Sequence, residues 1–296
     1  MFFLIANDLW NMENLDNSGY NSVNTLMEWL KSQPHLPHIS VSRCFAENDA
    51  LMFLHCNYYD TEAAKQTIEK YYTFRTNCSD FFKNRDVEDP AIHTALNLTM
   101  FTVFPKSTPE GYKIAYCRLI DTDTTNYVHL YNVKYLILCL DLWMKEEAFA
   151  PGHVIIVDME GMNLGHVAKM KISVLRNYVY YTQEALPIRL KQLHFLNVVP
   201  FMDKVMFLVK PFLQKKVVDV MHMHTNLQTM LKAIPVECLP EEYGGNAGKI
   251  KDLREAYNQK LFKRRLEFLT EETLAVVDNN KRIPAPRRFM FGLFGR

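Results

Sequence analysis

The sequence has no phosphate cradle. Neither GxGxxG after a strand nor GxxxxGK[ST] occurs in its 296 residues, so the loops that hold dinucleotides and nucleoside triphosphates have no counterpart. GxSxG is missing too, which removes the strained turn that presents a nucleophilic serine in many hydrolases. Excess charge of one sign is absent: 34 basic and 33 acidic residues leave a net charge of +1, which argues against nucleic-acid binding through bulk charge. The six cysteines (Cys44, Cys56, Cys78, Cys117, Cys139, Cys238) form no CxxC pair. Several sit in apolar runs, the pattern of reduced, buried thiols rather than of disulfides or metal ligands. No apolar run reaches the ~18 residues of a membrane-spanning helix. The N-terminal MFFLIANDLW is too short, and too poor in early basic charge, for a signal segment. A cytoplasmic protein is expected.

What is present is a change of periodicity along the chain. Residues 20–83 read as helices throughout. Val23, Leu26, Met27 and Leu30 share a face, PHLP at 34–37 is a rigid connector, and Leu51, Phe53 and Leu54 mark a second helix. A third starts near Thr61, with Ala64, Ile68, Tyr71 and Tyr72 on one side. From about Pro90 strands alternate with helices. Residues 100–104 and 112–119 read as two strands around a turn, and 127–147 as a long helix. HVIIVDM at 153–159 is a continuous apolar run, which predicts a strand buried on both faces of a parallel sheet. Val167, Met170, Val174, Tyr178 and Tyr181 mark one more amphipathic helix before a strand at 191–198. This βαβαβ order predicts an α/β sheet domain whose last strands run parallel. Residues 249–269 read as a charged helix with Leu253, Tyr257 and Leu261 at spacing four.

Residues 187–224 are the unusual stretch. A helix at 201–209 carries only Asp203 and Lys204 as charges; Phe, Met, Leu and Val fill the rest. A helix apolar nearly all round is enclosed by protein or faces something greasy. Pro200 opens it and Pro211 closes it, so it is a discrete, hinged element. Arg189, Lys191, Lys215 and Lys216 flank it, either as a solvated face or as a surface for anionic lipid.

Other candidates read as ordinary structure. Asp158 and Glu160 end a strand and can form an acid pair, but DMEGMN favours a polar turn with Gly161 as its permissive residue. His222 and His224 lie on one strand face; no HExxH or nearby carboxylate completes a metal site, and no cofactor is expected. The last sixteen residues hold five cations and no acid, interleaved with Phe289, Met290, Phe291, Leu293 and Phe294. This tail either touches an anionic membrane or folds back on the protein.

Three separated blocks then carry a resemblance. GHVIIVDMEG (152–161), RLKQLHFLN followed by KPFL and HMH, and LPEEYGG (239–245) resemble the CRAL-TRIO lipid-transfer family, in the insect type of its tocopherol-transfer-like branch. Upstream, residues 51–75 resemble that family's helical N-terminal domain. The resemblance implies a mixed, mostly parallel sheet flanked by helices, an apolar gate helix over a lipid cavity, and a small all-helical domain in front. The implied boundaries are 1–85, 86–248 and a C-terminal helix with a basic tail at 249–296. It implies a non-enzymatic carrier of a tocopherol, retinoid, carotenoid or similar ligand, peripheral at membranes. The alternative is a phospholipid or phosphoinositide exchanger or sensor; a third class is a scaffold with an empty pocket.

Residue by residue, the resemblance places Val157, Tyr181, Thr182, Leu186, Ile188 and Leu193 at pocket-lining positions. Tyr135 and Cys139 join them from the inward face of the long helix. The gate corresponds to residues 198–220, with Phe201, Val205, Phe207, Leu208 and Phe212. Arg189, Lys191 and Lys216 match positions that bind phosphoinositide headgroups. The sequence departs from the family where arginines are expected: Val220 stands before HMH, and Met52, His55 and Asn57 occupy the arginine-rich helical segment.

Overall fold

A computed structural model describes residues 17–37 and 43–283. The N-terminal segment and the aromatic part of the basic tail lie outside the described residues.

Among the described residues four helices come first: α1 (Asn17–Lys31), α2 (Arg43–Cys56), α3 (Thr61–Asn77) and α4 (Ser79–Phe82). The first three close on Val23, Leu26, Leu51, Phe53, Leu54, Ala64 and Ile68, the faces expected from spacing. Asp60 sets the start of α3, its carboxylate accepting the Ala63 N–H at 3.0 Å, a cap worth about 1 kcal/mol. Helix α5 (Pro90–Leu98), unassigned in the sequence reading, opens on the Asp89 cap with Pro90 in its first turn and leads into β1 (Thr99–Val103).

The sheet continues through β2 (Lys113–Leu119), α6 (His129–Glu147), β3 (His153–Asp158), α7 (Leu164–Ala168), α8 (Ile172–Tyr180), a π-turn at Tyr181–Ala185, and β4 (Leu190–Leu196). Next come α9 (Met202–Val209), a 3-10 turn (Lys210–Phe212), α10 (Lys215–Val218) and β5 (Met221–Met223). The order is β1-β2-β3-β4-β5; β1 and β2 are antiparallel and every later pair is parallel. The chain ends through α11 (Leu227–Met230), α12 (Ile250–Lys263) and α13 (Arg265–Leu274).

Three local expectations need correction. The helix marked by Val167 through Tyr181 is two helices and a π-turn. Lys171 is extended and donates its N–H to His129 Nδ1 at 3.1 Å, which stops propagation between α7 and α8. The charged helix at 249–269 breaks at Arg264, where the chain redirects so that Arg265 pairs with Asp86 and Glu272 receives the N–H groups of Asn84 and Arg85. The third concerns β3, which is not buried on both faces. Val154 and Ile156 point into a closed core, whereas Ile155 and Val157 keep accessible surface.

The helical module and the sheet are tied by charge. Arg75 of α3 and Arg85 both reach Asp141 of α6, at 3.2 and 2.5 Å, and all three side chains are buried. Burial alone would raise the Asp141 carboxyl; the two guanidiniums outweigh it and hold the group below the usual carboxylate range. The chain's return after α13 completes the same module, with Val277 in its core and the Val277 N–H on Thr76 Oγ1 at 2.8 Å.

Candidate functional site

Strand register decides which side chains share a face. Phe101 pairs with Cys117, Ala115 with Ile155, Cys117 with Val157, Ile155 with Leu193, Val157 with Phe195, and Leu193 with Met221. One side of the sheet is therefore apolar across all five strands. At β1 and β2 this face is closed by α6, where Phe101 and Ala115 are buried. Toward β4 it opens: Cys117, Ile155, Val157, Leu193, Phe195 and Met221 all keep accessible surface. Burial nevertheless pushes the Cys117 thiol up to about 12 and raises the Tyr178 phenol.

The proposed lining residues divide. Val157 and Leu193 lie on the open face, and Thr182 and Ile188 are half-buried beside it. Leu186 is buried, and the Thr182 hydroxyl is already used on the Tyr178 carbonyl at 3.0 Å. Tyr135, Cys139 and Tyr181 are fully buried. Tyr181 belongs to the charge network, its hydroxyl donating to Asp141 at 3.3 Å, and Tyr135 reaches Asn258 at 3.4 Å. Ile155, Phe195 and Met221, which the sequence reading did not name, share that face, each two residues from, or directly across from, Val157 or Leu193.

The segment that the resemblance gives as a gate runs from β4 to β5. Asn197 starts it in the left-handed region (φ 52°), its amide donating to Asp158 Oδ1 at 3.0 Å. Asp158 Oδ2 in turn accepts from Tyr116 at 2.9 Å and from Tyr243 at 2.7 Å. The carboxylate weighed as half of an acid pair thus ties Asn197 to Tyr116 of β2 and to Tyr243. Met202 and Val205 of α9 pack on Met159 and Val199, with Phe201 against the same cluster. On the outer side Phe207 is 80% exposed. Grooves flank it: one of about 380 Å³ toward Val167 and Leu208, the other of about 460 Å³ toward Ile172 and Phe212. At the far end, Glu184 is shared by Lys70, Lys216 and Gln214.

The basic residues do not act as one cluster. Lys216 leans on Glu184 at 3.8 Å. Arg189 donates through Nε to the His55 carbonyl at 2.7 Å, and Lys191 donates to the Tyr58 hydroxyl at 2.7 Å. His222 and His224 stack on His194, and His194 Nδ1 lies 2.8 Å from His224 Nε2. Among the described residues no group of histidines, cysteines or carboxylates is arranged to hold a metal ion. No described helix is long and apolar enough to cross a membrane.

Comparison with known proteins fits this geometry. The Pinta-like UBA domain matches residues 16–92, the helical module. The chain is 28% identical over 202 residues to the alpha-tocopherol transfer protein-like protein of Mus musculus and 27% identical to that of Homo sapiens. Each match covers 68% of this chain and 58% of the relative. Clavesin-1 of Xenopus laevis is 25% identical over 197 residues, covering 66% of this chain and 59% of that protein. The matched stretch thus spans less than two thirds of these relatives. The CRAL/TRIO domain matches residues 98–245, half of the chain and the whole of the sheet, so the protein belongs to the CRAL/TRIO family of lipid-binding and lipid-transfer proteins.

Proposed function

We propose that the protein is a non-enzymatic carrier that holds a small, mostly apolar ligand against the open sheet face and passes it to and from membranes when the gate segment swings aside. The observation that carries this reading is the apolar face itself, closed at one end and accessible from Cys117 across to Met221. An apolar surface of this extent inside a folded domain favours an apolar guest. Val157, Leu186, Ile188 and Leu193 line it in this reading, backed by Tyr135, Cys139, Tyr181 and Thr182. Tyr178 supplies a polar anchor: its hydroxyl makes no hydrogen bond among the described residues, and burial raises its pKa. One hydroxyl on an otherwise apolar wall suits a ligand with a single polar end, as in tocopherols and retinoids.

Transfer energetics explain why such a protein needs a gate. Each methylene moved into water costs about 0.8 kcal/mol, so release into solvent is slow. A gate that opens against a bilayer moves the ligand between two apolar phases. Phe207, Leu208 and Phe212 then meet acyl chains instead of water, while the cytoplasmic, peripheral protein never inserts further.

Mass spectrometry of an organic extract of the purified protein tests the reading. A single isoprenoid lipid supports it. Bound phospholipid moves the assignment to an exchanger, and an empty pocket removes both.

A further inference from the structure

Three imidazoles stack on the face of the sheet opposite Leu193 and Met221. His194 of β4 stands across from His222 of β5 in the strand register, and His224 follows just beyond the end of β5. The rings are nearly parallel. His194 lies 4.9 Å from His222 and 5.1 Å from His224, centroid to centroid, at interplanar angles of 22° and 19°. His194 and His224 are buried, and His222 is exposed. Gln192 Oε1 can only accept, so His194 Nε2, 3.0 Å away, donates to it. The neutral His194 ring then offers Nδ1 as an acceptor, and His224 Nε2 donates to it across 2.8 Å. One more proton on His194 sets two N–H groups against each other.

The surroundings do not neutralise a charge placed on this stack. Helix α11, which packs on β4, carries no ionisable side chain, and Lys232 beyond it is exposed. On β2 and β3 the same face holds Asp158, bound by Tyr116 and Tyr243, and Arg118, paired with Glu160. Asp219, just before β5, is held by Lys215. Burial lowers His194 to about 3 from 6.5, and the charges of His222 and His224 push it the same way. The rings therefore answer mainly to one another.

Strand β5 has little else to hold it. It is three residues long, lies last in the sheet order and pairs with β4 alone. Leu193 donates its N–H to the Val220 carbonyl at 2.9 Å, His224 to the Phe195 carbonyl at 2.8 Å, and Val198 to the His224 carbonyl at 3.1 Å. These bonds flank the imidazoles, and they fasten the end of the segment that runs from Asn197 to Val220. We propose that His194, His222 and His224 form an acid-sensitive clasp: neutral, the stack holds β5 on β4; protonated, it parts the two strands before the rest of the sheet gives way. The inference rests on the carrier reading only for its use, which is to loosen the gate under acid. The clasp itself is a property of the two strands.

Amide hydrogen exchange on the full chain, corrected for the intrinsic effect of pH, tests this. Between about pH 7 and about pH 5.5, opening at the Leu193, Val198 and His224 amides is expected to rise about tenfold for each ring that gains its proton on opening. The Ile114 and Ile156 amides, deeper in the sheet, are expected to follow only the global stability read from urea titrations at the same pH. His222→Phe keeps a flat ring on the exposed end of the stack and cannot charge. His224→Gln keeps a donor for His194 Nδ1 and cannot charge either. Each variant is expected to cut the acid response at the three amides by about threefold or more. A response as large in both variants as in the wild type overturns the proposal. So does a rise shared equally by Ile156, which marks global unfolding instead of a parting of β5. Failure of the carrier reading shows separately, as an empty extract from wild-type protein whose strands still respond to acid.

Discussion

The side-chain amide of Gln183 bonds the segment between β4 and β5 twice, donating to the Phe212 carbonyl at 2.7 Å and accepting the Gln214 N–H at 3.0 Å. One side chain thus takes the place of a neighbouring strand and fastens the chain between α9 and α10 to the π-turn. Each such bond contributes about 1 kcal/mol. Gln183→Ala is expected to speed ligand release to acceptor vesicles by roughly tenfold, with little change in unfolding midpoint. An unchanged release rate would show that the latch lies elsewhere.

Phe207 makes a complementary prediction. At 80% exposure its replacement removes almost no packing, so Phe207→Asp should leave the fold and the ligand load intact. Transfer between vesicles should slow, because a charge now has to enter the interface. Equal transfer rates for the variant and the wild type, at normal loading, would remove α9 from the gate role.

Asp141 answers to two buried arginines. Asp141→Leu leaves both guanidiniums without their carboxylate, and a destabilisation of about 3–5 kcal/mol is expected in denaturant titrations. Since Arg75 sits on α3 and Asp141 on α6, limited proteolysis should show the helical module loosening first.

Acid should weaken the fold through histidine. Burial lowers His194 to about 3, with His222 and His224 adding to the effect, and lowers His129 and His153 to about 4, all from 6.5. Unfolded, each ring takes a proton near 6.5; folded, it resists until the lower value. The unfolded chain therefore binds more protons in this window, so the contribution is full above 6.5 and shrinks as pH falls toward about 4. At about pH 5 the loss is at most ~2 kcal/mol per imidazole. A urea midpoint that stays constant between neutral pH and about pH 5 would contradict this.

Much of the arrangement is legible in the sequence. The helix faces of Val23, Leu26, Leu51, Ala64 and Ile68 follow from periodicity, because a residue three or four positions on lies over the same core. Pro200 and Pro211 bracket α9 for the same local reason: proline has no N–H to give a helix interior. The apolar run 153–159 likewise announced a strand.

Tertiary structure decided what local pattern cannot encode. Whether Ile155 and Val157 are sealed or keep accessible surface depends on what packs over them, and no spacing within β3 records that. His129, forty-two residues away, ends the helix before Lys171, and Arg265 bends α12 from α13 by reaching Asp86. Arg189 and Lys191 were visible as charges beside an apolar helix. That Lys216 is taken up by Glu184 while the other two rest on Tyr58 is a matter of distance in space, and charge interactions follow distance rather than sequence order.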